Sequence, residues 1–238
     1  MSVPILLLTR PAAASARIAA AATARFGDRL RVLVAPVLEI VEDDAPIPLD
    51  GVQGLVFTSE NAVDAFARHS ARRDLPAWCV GDRTAAAARA AGLAAHSAAG
   101  DAAALARLIV AEGVRGPLLH LAGDHVRGDL PGDLAAAGIA LHVRPVYRQQ
   151  ARPLTASARA ALGGRDRVIV PLFSPRSAAL FRAEAGMPLA PLDLVAISLA
   201  AAEPLAGWGA AHLCIARRPD ADAVLDAVAE RLAADPSA

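Results

Sequence analysis

A chain of 238 residues has room for one large α/β domain or for two of about 100 to 120 residues, and either buries a real core. Formal net charge is zero and all 24 basic residues are arginine. Neutrality argues against a general nucleic-acid surface, and the missing lysine excludes Schiff-base catalysis and a lysine general base. Arginine still clamps carboxylates or phosphates bidentately.

Short apolar runs alternate with alanine-rich stretches of helical period from end to end, and alanine supplies roughly a quarter of the residues. That rhythm predicts βα units and parallel sheets. In chain order, strands are expected at 3–8, 31–35, 54–57, 77–80, 118–121, 167–172, 194–197 and 211–215. Helices are expected at 12–25, 61–69, 84–91, 102–111, 129–137, 157–162, 177–184 and 220–233. Eight strands are too many for one small open sheet.

The first run, "ILLL" before Thr9 and Arg10, is too short for a signal sequence, and no run approaches the about 18 apolar residues of a membrane span. A cytoplasmic protein with no membrane partner is the expectation. Cys79 and Cys214 each fall in an expected buried strand without metal-type spacing, so they read as apolar fillers and no metal site is expected. The six histidines share no ligand spacing and read as surface or satisfied strand residues.

Two segments break the rhythm. "PVLEIVED" (36–43) follows a strand without a helix, and "LHVRPVYRQQARP" (141–153) is a second long extended stretch. As paired linkers they divide the chain into a discontinuous first α/β domain, 1–36 with 149–238, and an inserted second, 37–148. The "EDD" that begins at Glu42 reads as a solvated part of the linker.

Five stretches share a strand-then-polar-turn form: "LTRP" with Thr9 and Arg10, "FTSEN" with Thr58 and Ser59, "VGDRT" with Gly81 and Thr84, "LAGDHVRG" with Gly123, and "FSPRS" with Ser174 and Arg176. Ser59 and Ser174 suit the N-cap of the helix that follows, and Pro175 suits the first helical position. Capping alone accounts for each singly. Together, five helix N-termini at the carboxyl ends of strands would ring one cleft between the domains and bind a polyanion through unpaired backbone N–H groups. Arg10, Arg83, Arg127 and Arg176 either add charge-assisted bonds there or cover solvated helix ends.

No Walker loop, G-x-S-x-G, H-E-x-x-H or paired cysteine is present. Tyr147, the only tyrosine, lies in the proposed return linker. There it either donates a proton to a leaving hydroxyl or packs on a sheet edge. The rival readings are a two-domain polyanion-binding module and a nucleotide-dependent flavodoxin-like enzyme, the latter without a glycine-rich phosphate loop.

With these pieces assembled, the chain resembles the uroporphyrinogen-III synthase family. "ILLLTRP", "PVLEI", "GLVFTSENAVDAF", "CVGDRTAAAARAAG", "GDAAALARLI", "LLHLAGDHVRGDLPGDLAAAGI", "VYRQ" and "FSPRSAALF" stand in family order. The resemblance implies two parallel-sheet α/β domains joined by a two-stranded linker ladder with the active-site cleft between them. It implies a linear tetrapyrrole polycarboxylate as substrate and no cofactor, while the neutral charge and many exposed alanines make a monomer the expectation. The implied reaction is cyclisation of hydroxymethylbilane to uroporphyrinogen III, with ring D inverted and water lost. Because the substrate ionises readily at its hydroxymethyl carbon, orientation is the main demand, with one modest acid, for which Tyr147 matches the family's linker tyrosine. Thr58, Ser59, Gly81, Thr84 and Ser174 fall on family positions that line the cleft.

One departure stands at "AISLAAAEPL" from Ala196. It keeps Ser198 but lacks the two threonines of an "IGPTTA"-like turn, so either backbone amides serve there or substrate binds less tightly. A catalytically weak paralogue is a third alternative on this ground.

Overall fold

The computed structural model describes residues 3–125 and 128–234. The chain begins β1 (Ile5–Leu8), α1 (Ala12–Phe26), β2 (Arg31–Val34), β3 (Leu38–Glu42), β4 (Gly54–Phe57), α2 (Glu60–His69) and β5 (Ala77–Cys79). It continues through α3 (Asp82–Ala90), β6 (Ala95–Ser97), α4 (Ala102–Ala111), β7 (Leu118–Gly123), α5 (Leu130–Ala136) and β8 (Leu141–Ala151). Then follow α6 (Ala156–Leu162), β9 (Val168–Leu172), α7 (Pro175–Ala185), β10 (Leu192–Ala196), α8 (Leu199–Ala202), β11 (His212–Ile215) and α9 (Ala221–Ala233). Two compact units result, one of Met1–Glu39 with Gln150–Ala238 and one of Ile40–Gln149.

The first unit holds a five-stranded sheet in the order β11-β10-β9-β1-β2, parallel throughout. Its central strands are buried on both faces, which is why they read as unbroken apolar runs rather than alternating ones. Ile5 and Leu7 pack with Phe181 and Trp208 on one face, while Leu6 and Leu8 pack with Ile18 and Val224 on the other. Asp193 is a charge inside central strand β10, which is why the sequence reading starts that strand at Leu194. Arg167 Nε donates to its carboxylate at 2.8 Å and Arg231 Nε at 3.3 Å, and this pairing makes a buried acid tolerable in a strand.

The second unit holds a six-stranded sheet in the order β3-β8-β7-β4-β5-β6. Strands β4 to β8 run parallel. The linkers take up β3 and β8: Asp43 N donates to Val146 O at 2.9 Å and Arg152 N to Val37 O at 2.9 Å, so one strand's numbering rises as the other's falls and the pair is antiparallel. Leu55 and Phe57 face Phe66 and Leu121, and Val56 faces Leu105 and Leu118 on the opposite side.

Some local expectations are corrected. The "EDD" stretch is solvated at Asp44, while Glu42 ends β3 and is paired by Arg68, and Asp43 is paired by Arg144 at 3.1 Å. Cys214 lies on edge strand β11 and is only partly buried, whereas Cys79 is fully buried. The three-residue β6 is absent from the expected strands because "AHS" has no apolar run, and pairing with β5 makes it a strand. The turn at Ser198 is a short helix, α8.

Ser59 and Ser174 cap as expected: their hydroxyls accept from Asn61 N and Ser177 N, each at 3.1 Å, and Pro175 opens α7. Replacing Ser59 with alanine is expected to cost about 1 kcal/mol of stability in urea unfolding. A loss several times larger would show that the hydroxyl does more than cap.

Candidate functional site

In parallel βα units every strand points its carboxyl end the same way, so the turns that start the helices collect along one edge of each sheet. In the second unit Phe57 pairs with both Cys79 and Leu121. Ser59, Gly81 and Gly123 each follow those residues by two positions, and Gly123 is paired with Tyr147. The order β8-β7-β4-β5 therefore brings Tyr147, Gly123, Thr58, Ser59, Gly81 and Thr84 to the edge of four adjacent strands, a width of about 14 Å. In the first unit Ala196 pairs with Leu172, and Ser198 and Ser174 each follow by two. Thr9 and Arg10 follow the neighbouring strand β1, and the Arg10 guanidinium lies 4.3 Å from the centre of the Phe173 ring. Thr9, Arg10, Ser174, Arg176 and Ser198 thus share the carboxyl edge of that sheet.

The helix starts are not equivalent, which revises the expectation of open N–H groups at every turn. The first turns of α2, α7 and α8 are served by Ser59, Ser174 and Ser198, those of α4, α5 and α9 by Asp101, Asp129 and Asp220, and that of α6 by Thr155. Among the described residues only α1 and α3 begin without a side-chain cap. Pro11 and Gly81 occupy those cap positions, and a Cβ built on Gly81 would meet nothing within 4 Å. An uncapped first turn leaves its N–H groups for water or a ligand anion. The acid in α3's own first turn, Asp82, is held by the Ser97 hydroxyl at 2.7 Å.

Other expectations move as well. Arg83 is not a spare cation, because its guanidinium binds Glu60 at the start of α2. The "LAGDHVRG" stretch is not a direct strand-to-helix junction: β7 ends at Gly123 and α5, capped by Asp129, starts at Leu130. Arg127 lies outside the described residues.

Tyr147 sits at a β-bulge. Ala122 pairs with Pro145 and Gly123 with Tyr147, leaving Val146 as the extra residue on β8. The bulge lets two successive residues, Val146 and Tyr147, enter the same core cluster, and it accommodates Pro145 in an interior strand. The backbone is pinned on both sides, with Val146 O accepting from Asp43 N at 2.9 Å and Tyr147 O from Asp124 N at 3.0 Å. The phenol lies over Gly123, where any Cβ would come within 2.7 Å of its ring. Only 7% of the residue is exposed, so the ring is held rather than swinging free.

His120 is neither a surface nor a satisfied strand histidine, which corrects the expectation for this one ring. It is completely buried on β7, its Nε2 lies 3.1 Å from Thr58 Oγ1, and its Nδ1 has no hydrogen-bond partner among the described residues. Burial pushes its pKa down to about 4, so the ring is neutral at neutral pH. A histidine inside the apolar run "LLHLA" is its signal in the sequence. Burial likewise raises the Cys79 thiol to about 11, which leaves it a packing residue.

The family model described as Uroporphyrinogen-III synthase HemD matches residues 19–226. The chain belongs to the uroporphyrinogen-III synthase family. Its fold is similar to the uroporphyrinogen-III synthetase of Helicobacter pylori 26695, with a TM-score of 0.69 at 17% identity over 97% of this chain and 100% of that one. It is also similar to a mutant uroporphyrinogen III synthase of the extremely thermophilic bacterium Thermus thermophilus, with a TM-score of 0.53 at 15% identity over 96% and 98%. At these identities the likeness is one of fold. No curated protein matches the chain at comparable significance. Synthase activity in tetrapyrrole biosynthesis, on a small-molecule substrate, follows from the family, and no helix among the described residues is long and apolar enough to cross a membrane.

His120 also makes a pH prediction for this synthase. Its folded pKa lies below the ordinary value of 6.5, so the unfolded chain takes up the proton first as pH falls. Its stabilising contribution is complete above pH 6.5 and declines by up to about 3 kcal/mol as pH drops to 4. His120→Leu should flatten that part of the stability profile relative to the parent chain in denaturant titrations. Parallel profiles would contradict the buried, neutral ring.

Proposed function

We propose that this chain performs the synthase reaction by holding hydroxymethylbilane through backbone amides and hydroxyls, with Tyr147 as its acid. The observation that carries the reading is the pair of uncapped helix starts, α1 and α3, one at the carboxyl edge of each sheet. Each offers first-turn N–H groups and the positive end of a helix dipole to a carboxylate, and neither needs lysine.

Around α3 the acetate and propionate side chains of the substrate are assigned to Gly81, Thr84 and Thr58, with Ser59 contributing mainly through its cap. Around α1 they are assigned to Thr9 and Arg10, with Ser174, Arg176 and Ser198 on the neighbouring strand ends. Thr9 supports the assignment, because its hydroxyl is buried with no hydrogen-bond partner among the described residues.

The chemistry asks little of acids and bases. Departure of the hydroxymethyl oxygen, protonated by the Tyr147 phenol, leaves water and an azafulvenium cation. The substituted α-carbon of the electron-rich ring D pyrrole then attacks the cationic methylene carbon on ring A. The spiro intermediate breaks and recloses with ring D inverted, and loss of a proton restores the aromatic pyrrole. What the protein supplies is the folded shape of the chain, a catalysis of orientation. A phenol fixed by a bulge and by contact with Gly123 suits a single proton delivered at one place.

Incubation with freshly generated hydroxymethylbilane, followed by isomer separation, should give type III in excess of the spontaneous type I. Tyr147→Phe should lower turnover by about ten- to a hundredfold and raise the type I share, because the uncatalysed closure then competes. Unchanged turnover and isomer ratio would remove Tyr147 from the acid role.

The polyanion reading makes a separate claim. A uroporphyrinogen-like polycarboxylate at about 100 times its Kd should stabilise the fold by about 2.7 kcal/mol, seen as a raised Tm, and added salt should shrink the shift. A Tm indifferent to such ligands would refute it.

A further inference from the structure

His120 is a buried titratable group that the reaction does not use, and it touches Thr58, the residue that follows central strand β4. Its cross-strand neighbours are Val56 on β4 and Val143 on β8, both apolar, and among the described residues Thr58 is the only hydrogen-bond partner of the ring. Nε2 lies 3.1 Å from Thr58 Oγ1, and Nδ1 is buried without a partner among the described residues.

A neutral imidazole carries its proton on one nitrogen. Were it on Nδ1, the ring would bury an orphaned N–H and Thr58 would give its own proton to Nε2. With the proton on Nε2, only a lone pair at Nδ1 goes unmatched, a less costly vacancy because orphaned buried N–H groups are rarer than under-satisfied acceptors. Nε2–H then donates to Thr58 Oγ1, and the threonine O–H is left to donate outward.

We infer that His120 is a positioning residue that fixes Thr58 as a hydrogen-bond donor toward a carboxylate of the substrate. The polarity decides the outcome. A carboxylate only accepts, so a threonine whose proton is turned inward toward Nε2 would present lone pairs to it and repel it. Complete burial on β7 keeps the ring neutral, so the donor is preset before substrate arrives. The inference rests on the assignment of Thr58 to substrate binding proposed above, and extends it to a residue with no route to the substrate itself.

The test is a double-mutant cycle read in KM and kcat for hydroxymethylbilane. Thr58→Val should raise KM about tenfold with kcat little changed, the sign of lost uniform binding. His120→Leu should raise KM about fivefold, and the double variant should be no worse than Thr58→Val alone. His120→Gln, whose side-chain amide can donate to Oγ1, should recover most of the loss. A merely structural role for His120 predicts a changed Tm with KM untouched, so Tm is measured on every variant. Additive effects on KM, or a His120→Leu KM equal to the parent's while Thr58→Val raises it, would overturn the inference and leave the Thr58 assignment standing. A Thr58→Val KM equal to the parent's would overturn both.

Discussion

Parallel strand order is the constraint on which this molecule depends. A strand followed by a helix, repeated in one direction, delivers helix N-termini to the carboxyl edge of each sheet. The five-stranded sheet does this with β1, β9 and β10, and the six-stranded sheet with β4 and β5. No residue type needs to be reactive for such an edge to attract anions, because the peptide dipoles already do so.

Capping then sorts those edges. A serine or aspartate at the N-cap uses its helix's first-turn donors for stability, and most helices here are finished in that way. Where proline or glycine stands at the cap, stability is forgone and the donors stay open. The same backbone group serves either the fold or a ligand, and one side chain decides which. In a chain without lysine this choice matters more, since no long flexible ammonium can be recruited later.

Two buried polar groups sharpen the edge of the second unit. Tyr147 is turned into the core cluster by a bulge and held against Gly123, and His120 is fully buried on β7 with Thr58 as its partner. Both obtain their orientation from being unable to relax into water. A low local dielectric strengthens the bonds they make and raises the cost of those they lack.

The sequence by itself determined the βα rhythm, the two extended stretches that interrupt it, the caps at Ser59 and Ser174, and the family, because each is written in local periodicity, turn chemistry or motif order. It also carried Tyr147 and the glycines of the turns as residues of interest. Only the tertiary structure decided which helix starts stay open, that Arg83 is taken by Glu60, that Asp193 can sit in a central strand, and that His120 reaches Thr58. Those outcomes depend on which side chains meet across strands and turns 23 to 62 positions apart in sequence. Hydrophobic period names the face a residue takes, but not the partner it finds there.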